Sequence, residues 1–217
     1  LMVALSEFWL LHGFRQPSEI AQLMAAHPCL APLVQCLQSQ GLTAAFALSL
    51  DFTAADVQQM QHALAGELSG WAHCPKETPE FWIRRWLHNN PQVENGILTL
   101  FFLNLLRLEP GMAVYQPAGL LHAYLEGQNV ELMANSDNVL RAGLTPKHID
   151  VTELLRICSI APSRAEEFMI TPETLANGEI RFATPFTEFE LTEVSPTPAQ
   201  AIHWAAATPE ILFCYEG

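Results

Sequence analysis

Residues 111–147 read GMAVYQPAGLLHAYLEGQNVELMANSDNVLRAGLTPK. Most of the surrounding chain is apolar, whereas this stretch spaces one histidine, several acids, an arginine and a lysine among glycines, prolines and strand-like runs. Gly111 is followed after five residues by Pro117-Ala118-Gly119, and after two more by His122. A Pro-Gly pair at this spacing makes a tight turn between two strands and delivers the histidine at the start of the second. Strand alternation then puts Tyr124 on the same face as His122. Taken alone, a histidine on an apolar strand is more often a hydrogen-bonded core residue than a ligand.

The same spacing, G(x)5PxG(x)2H, resembles the second half-motif of cupin barrels. The asparagine that usually follows the histidine is absent, and Glu126 stands near its place. The continuation is more specific. HAYL-G, E-MANSDNVLRAGLTPK and the ID after it resemble the signature of type I mannose-6-phosphate isomerases (phosphomannose isomerases), zinc enzymes of the cupin superfamily. ALSEF to GFR and SEI are similar to the family's approach to its helical domain. LEPGMAV resembles the strand and turn before the signature, and ILFCYEG a strand of the C-terminal domain.

Carried over by that resemblance, His122 is a zinc ligand and Arg141 the active-site arginine. Tyr124 shares the wall of His122 by alternation, and the resemblance puts Glu131, Asp137 and Lys147 near the substrate pocket. Each of the last three also has a plainer reading: Glu131 as a strand-surface carboxylate, Asp137 as a turn-former in NSDN, Lys147 as a solvated loop lysine. The implied reaction moves a proton between C1 and C2 of a hexose 6-phosphate through an enediol. A metal polarises the carbonyl and hydroxyl oxygens, and a planar guanidinium stabilises oxyanion charge or clamps phosphate. A non-catalytic cupin-like module for sugar binding or regulation, with His122 structural, is the alternative.

The family's other zinc ligands are a glutamine and a histidine on an early strand, and a glutamate expected just upstream of LMVALSEF. The chain contains no first half-motif and no HxH. The resemblance therefore implies a piece of a larger enzyme, lacking an N-terminal part and the C-terminal end. One imidazole does not hold zinc usefully, since three or four convergent ligands are needed. The polypeptide by itself is expected to be inactive, metal-free and poorly soluble.

Working outward, the chain has 217 residues, half of them hydrophobic, enough for one large or two modest cores. A net charge of −13 with ten Lys and Arg argues against nucleic-acid binding. An acidic surface also repels anions at range, so an anionic substrate needs local cations. No apolar run reaches spanning length, GILTLFFLNLLRL being interrupted by Thr99, Asn104 and Arg107. Leu1 to Leu5 have no basic leader before them. Five cysteines without CxxC read as reduced thiols, which fits a cytoplasmic setting.

Residues 17–90 read as helical. PSEIAQLMAAH and LAPLVQCLQSQ show helix spacing, Thr53 with Asp56 makes a capping-box-like start, and TPEFWIRRWLHNNP opens with Pro79 at its first turn. Trp82 and Trp86 are expected on a core stripe, leaving Arg84 and Arg85 on a solvated face. After Asn95 short strands are expected: FLNLLRL, MAVYQ, HAYL, VELMA, EIRFA, FTEFELTEV, QAIHWA and EILFCYEG, with one helix at TELLRIC. The expected class is α+β. A catalytic cupin (jelly-roll) domain contributes 1–14 and 95–165, interrupted by a helical domain at 15–94 and followed by part of a second β domain at 166–217.

Overall fold

The computed structural model describes residues 1–67, 73–90, 95–136, 138–143, 149–197 and 205–216. Strand β1 (Met2–Ala4) and strand β2 (Phe8–Phe14) lead into helices α1 (Pro17–Ala25), α2 (Ala31–Gln40), α3 (Leu42–Leu50), α4 (Ala54–Glu67) and α5 (Pro79–Asn89). A 3₁₀ turn (Asn95–Leu98) and short helix α6 (Thr99–Phe102) return the chain to β3 (Leu103–Leu108). Then come β4 (Ala113–Val114), β5 (His122–Glu126), β6 (Asn129–Glu131), α7 (Val151–Ile157), β7 (Met169–Ile170), β8 (Glu173–Thr174), β9 (Ile180–Phe182) and β10 (Leu191–Glu193).

The strands form three antiparallel sheets, ordered β3-β2-β5, β6-β1-β4-β7 and β10-β9-β8. Alternation along β1 shows how they stack. Met2 and Ala4 join Phe8, Leu10, Leu108 and Val114 in a core between the first two sheets. Leu1 and Val3 face the other way, onto Ile170 and Phe182. The helices cover the far side of β2, where Trp9 and Leu11 join a larger core with Phe14, Phe46 and Phe102.

β2 is therefore covered on both faces, and all seven of its residues are buried. FWLLHGF carries no strand signal in the sequence, because a run buried on both sides has no polar alternation to reveal it. α3 is hidden for a different reason: its buried residues Leu42, Ala45, Phe46, Ser49 and Leu50 form one helical stripe, but Ala44, Ala47 and Leu48 outside it are apolar too, so no polar face sets the stripe off. The expected start of α4 is present, Thr53 and Asp56 exchanging backbone-to-side-chain bonds at 3.0 and 3.2 Å.

Two expectations fail toward the end of the described chain. EILFCYEG forms no strand among residues 205–216, and Ile211 is 97% exposed. An extended segment becomes a strand only when a neighbour completes its ladder, and no described strand does so. In FTEFELTEV only Leu191–Glu193 is strand, although Phe189 and Leu191 pack on the third core as their spacing suggested. QAIHWA lies almost wholly outside the described residues.

The β3-β2-β5 sheet carries two irregularities. Against β3, Leu11 pairs with Leu105 and Phe14 with Leu103, so His12 and Gly13 together oppose Asn104. This is a bulge, and Gly13 supplies its left-handed conformation with φ +64°. The Asn104 amide nitrogen lies 3.1–3.3 Å from the carbonyl oxygens of His12, Gly13, Phe14 and Ser163. Asn104→Ala removes the amide from that group of carbonyls, of which Phe14 keeps the Ser163 backbone N–H, and is expected to cost about 2 kcal/mol. A lower urea midpoint at unchanged slope checks it. A midpoint equal to that of the unsubstituted chain would show that the bulge holds without the amide.

Against β5, Trp9 pairs with Glu126 but Leu10 with Tyr124, making Leu125 the extra residue of a second bulge. His122 and Tyr124 leave the sheet on the face of Leu10. Leu125 packs into the helical core and Glu126 turns to the helical side with it.

Candidate active site

β5 is the last strand of its sheet, and a pocket of about 570 Å³ runs along it. Trp82, Arg85 and Trp86 of α5 line one side. His122 and Tyr124 line the strand side, and the segment Val139–Gly143, which includes Arg141, completes it. The signature histidine and the signature arginine thus both border one cavity although 18 residues lie between them in sequence.

His122 is exposed, and its ring lies 5.9 Å from that of Tyr124. Its Nδ1 is 3.0 Å from the Leu120 carbonyl oxygen. A carbonyl can only accept, so Nδ1 carries the hydrogen and Nε2 presents a lone pair. That is how a metal-ligating imidazole is ordinarily oriented. As one ligand, His122 fits zinc. Among the described residues no group of three His, Cys, Asp or Glu converges to complete such a site.

The Tyr124 hydroxyl donates to Glu131 at 2.7 Å and accepts from the Gln116 amide at 3.1 Å. Burial, and then the bond to Glu131, push its pKa up, so it remains a protonated phenol. Glu131 is thereby tied to the pocket wall through Tyr124. Arg141 has no ion-pair partner among the described residues. Among the described residues its guanidinium borders the cavity without a counter-charge, a placement that suits an anion in a protein with net charge −13. Asp137 and Lys147 lie outside the described residues.

Arg85 needs a correction. It is exposed, as expected, but it is not merely solvated. Its guanidinium pairs with Glu126 and lies 5.4 Å from the centre of the Trp82 ring. Lys76 bridges Glu126 and Glu7, and Glu7 also pairs with Arg107 and accepts from the Trp9 indole at 2.9 Å. These bonds clasp the helices to the sheet, and the bulge at Leu125 is what turns Glu126 toward them. Glu126 is thereby turned toward the helices, away from the face of His122.

Sequence reasoning misses His12. It is fully buried on the inner face of β2, directly across from His122. Burial, then the neighbouring His122, hold its pKa down at about 4, so the ring is neutral near pH 7. A histidine set inside an otherwise apolar run is the only signal the sequence offers.

Comparison with known proteins places this geometry. Over its whole length the chain is 34% identical to the mannose-6-phosphate isomerase of Escherichia coli, of which it covers 55%. The chain is thus similar to mannose-6-phosphate isomerases over its whole length. The Salmonella typhimurium mannose-6-phosphate isomerase is 33% identical over the whole chain, which again covers 55% of it. A crystal structure of mannose 6-phosphate isomerase from Salmonella typhimurium, bound to substrate (fructose 6-phosphate) and zinc, matches 88% of this chain and 48% of its own. The TM-score is 0.75 and the identity 32%. The chain spans about half the length of the mannose-6-phosphate isomerases it matches. No protein-family model matches it. Among the described residues no helix is long and apolar enough to cross a membrane.

Proposed function

We propose that this chain works within a zinc-dependent aldose–ketose isomerase that interconverts mannose 6-phosphate and fructose 6-phosphate by enediol proton transfer. The observation that carries the reading is the shared pocket of His122 and Arg141, in a chain whose relatives bear that activity in their names. The architecture proposed with it is a cupin-type catalytic barrel built from 1–14 and 95–165, a helical insertion at 15–94, and part of a second β domain at 166–217. Two antiparallel sheets packed face to face across one apolar core support the barrel.

When bound, zinc supplies Lewis-acid polarisation of the sugar oxygens. His122 offers it Nε2, and the remaining ligands have to come from outside the described residues. Arg141 holds the anionic end of the substrate or the oxyanion that develops during proton transfer. Tyr124, kept protonated and anchored on Glu131, offers the pocket a fixed polar edge, and Asp137 and Lys147 complete the proposed substrate contacts. A cytoplasmic setting and a hexose 6-phosphate partner belong to the same proposal.

The test is a coupled assay of both hexose phosphates, using this chain together with the missing zinc ligands. Turnover that needs zinc and disappears in His122→Asn is expected. No turnover in either direction with zinc and those ligands supplied would refute the reading. Purified alone, the 217-residue polypeptide is expected to retain no tightly held zinc.

A further inference from the structure

The charges around the cavity are one-sided. Arg85 borders it from α5 and Arg141 from the segment Val139–Gly143, and none of the described residues lining it is Asp or Glu, although the chain has 23 of these. A hexose 6-phosphate asks for cations in two places. Its phosphate sits on C6, whereas the proton moves between C1 and C2 at the other end of the sugar. One guanidinium cannot serve both ends at once.

Arg85 is placed for the second task. Its partner Glu126 ends β5 and His122 begins it, which separates the two residues by on the order of 10 Å along the strand. A ligand with its reacting end at His122 therefore extends its other end toward Arg85. The guanidinium is restrained by the Trp82 ring beneath it, one helical turn back along α5. Its tie to Glu126 is of the kind that yields. Both side chains are partly exposed, and an exposed pair is worth about 1 kcal/mol or less. The bond uses Nη1, and a guanidinium has five N–H donors. Glu126 is shared, because Lys76 pairs with it as well as with Glu7. When Arg85 turns to an anion, Glu126 keeps Lys76 and the helices stay clasped to the sheet.

We propose that Arg85 anchors the phosphate group of the substrate, leaving Arg141 to the charge that develops at the reacting carbons, and that Glu126 is an internal counter-ion which the phosphate displaces from Arg85. The inference rests on the reading of the cavity as a hexose 6-phosphate site. It deepens that reading by assigning the two guanidiniums to opposite ends of the substrate, which makes Arg85 the residue that selects a phosphorylated sugar over a free one.

Titration of the 217-residue chain with inorganic phosphate, followed by calorimetry, tests the anchor without zinc or turnover. Arg85→Gln is expected to weaken binding about tenfold, the worth of one hydrogen bond to a charged group. Glu126→Gln removes the rival carboxylate and is expected to strengthen binding about threefold. Both variants lose the same ion pair, so a merely structural role for Arg85 would make them fail alike. Equal binding by Arg85→Gln and the unsubstituted chain, weaker binding in both variants, or no binding by the unsubstituted chain overturns the anchor. In the coupled assay with zinc, Arg85→Gln should raise KM for both hexose phosphates about tenfold and leave kcat nearly unchanged, the mark of lost binding shared by ground and transition states. A fall in kcat at constant KM overturns the anchor and leaves the isomerase reading standing. No turnover by the unsubstituted protein removes that reading, and the phosphate titration still decides Arg85.

Discussion

Arg141→Ala is expected to lower kcat/KM of the proposed isomerase, loaded with zinc, about a hundredfold to a thousandfold, the usual cost of removing one preorganised donor from a developing oxyanion. Arg141 lines the pocket opened by His122 and has no ion-pair partner among the described residues. Its loss therefore breaks no described ion pair, and the melting temperature should stay nearly unchanged. Arg141→Lys restores charge without the planar fork and should recover only part of the lost rate. Steady-state kinetics beside thermal melts check all three statements. Unaltered turnover in Arg141→Ala would remove this residue from the site.

Gly143→Ala is expected to do the opposite and damage the fold first. Gly143 has φ +147°, and a Cβ built on it would lie 2.3 Å from the Cα of Gly96. Gly96 belongs to the buried turn Asn95–Leu98, which Asn95 anchors by donating to the Leu50 and Phe52 carbonyls at 2.9 Å. The obstruction is backbone against backbone, so no side chain can swing away. Backbone strain and overpacking each cost about 1–3 kcal/mol, and together about 4 kcal/mol is expected. Because Arg141 is only two residues upstream, activity should fall as well. The two substitutions thus separate a guanidinium proposed to act on substrate from a glycine that positions its segment. A Gly143→Ala variant melting with the unsubstituted protein would mean that the segment does not lie against Gly96.

How much of this is legible in sequence depends on whether a signal is local. His122 and Arg141 can be found because turn chemistry and a contiguous signature name them, and the pocket unites them. The Thr53–Asp56 start of α4 is legible because capping is decided within four residues. β2 is not, because its burial on both faces is conferred by elements distant in sequence. The strand expected at EILFCYEG has the right composition but no described partner. The role of Arg85 depends on a bulge, and a bulge is a property of two strands rather than one. His12 is illegible for the same reason: only the register reveals what stands opposite it.

The extra residue at Leu125 has a consequence for how the protein can change. One short strand presents His122 and Tyr124 to one environment and, beyond the kink, Glu126 to another. The clasp residues Lys76, Arg85 and Glu126 can therefore drift to tune how firmly the helices grip without rotating the imidazole at 122. Deleting Leu125 would leave Glu126 opposite Trp9 in an even ladder, so the clasp should survive and the loss should fall on the packing of Leu125 against the helices.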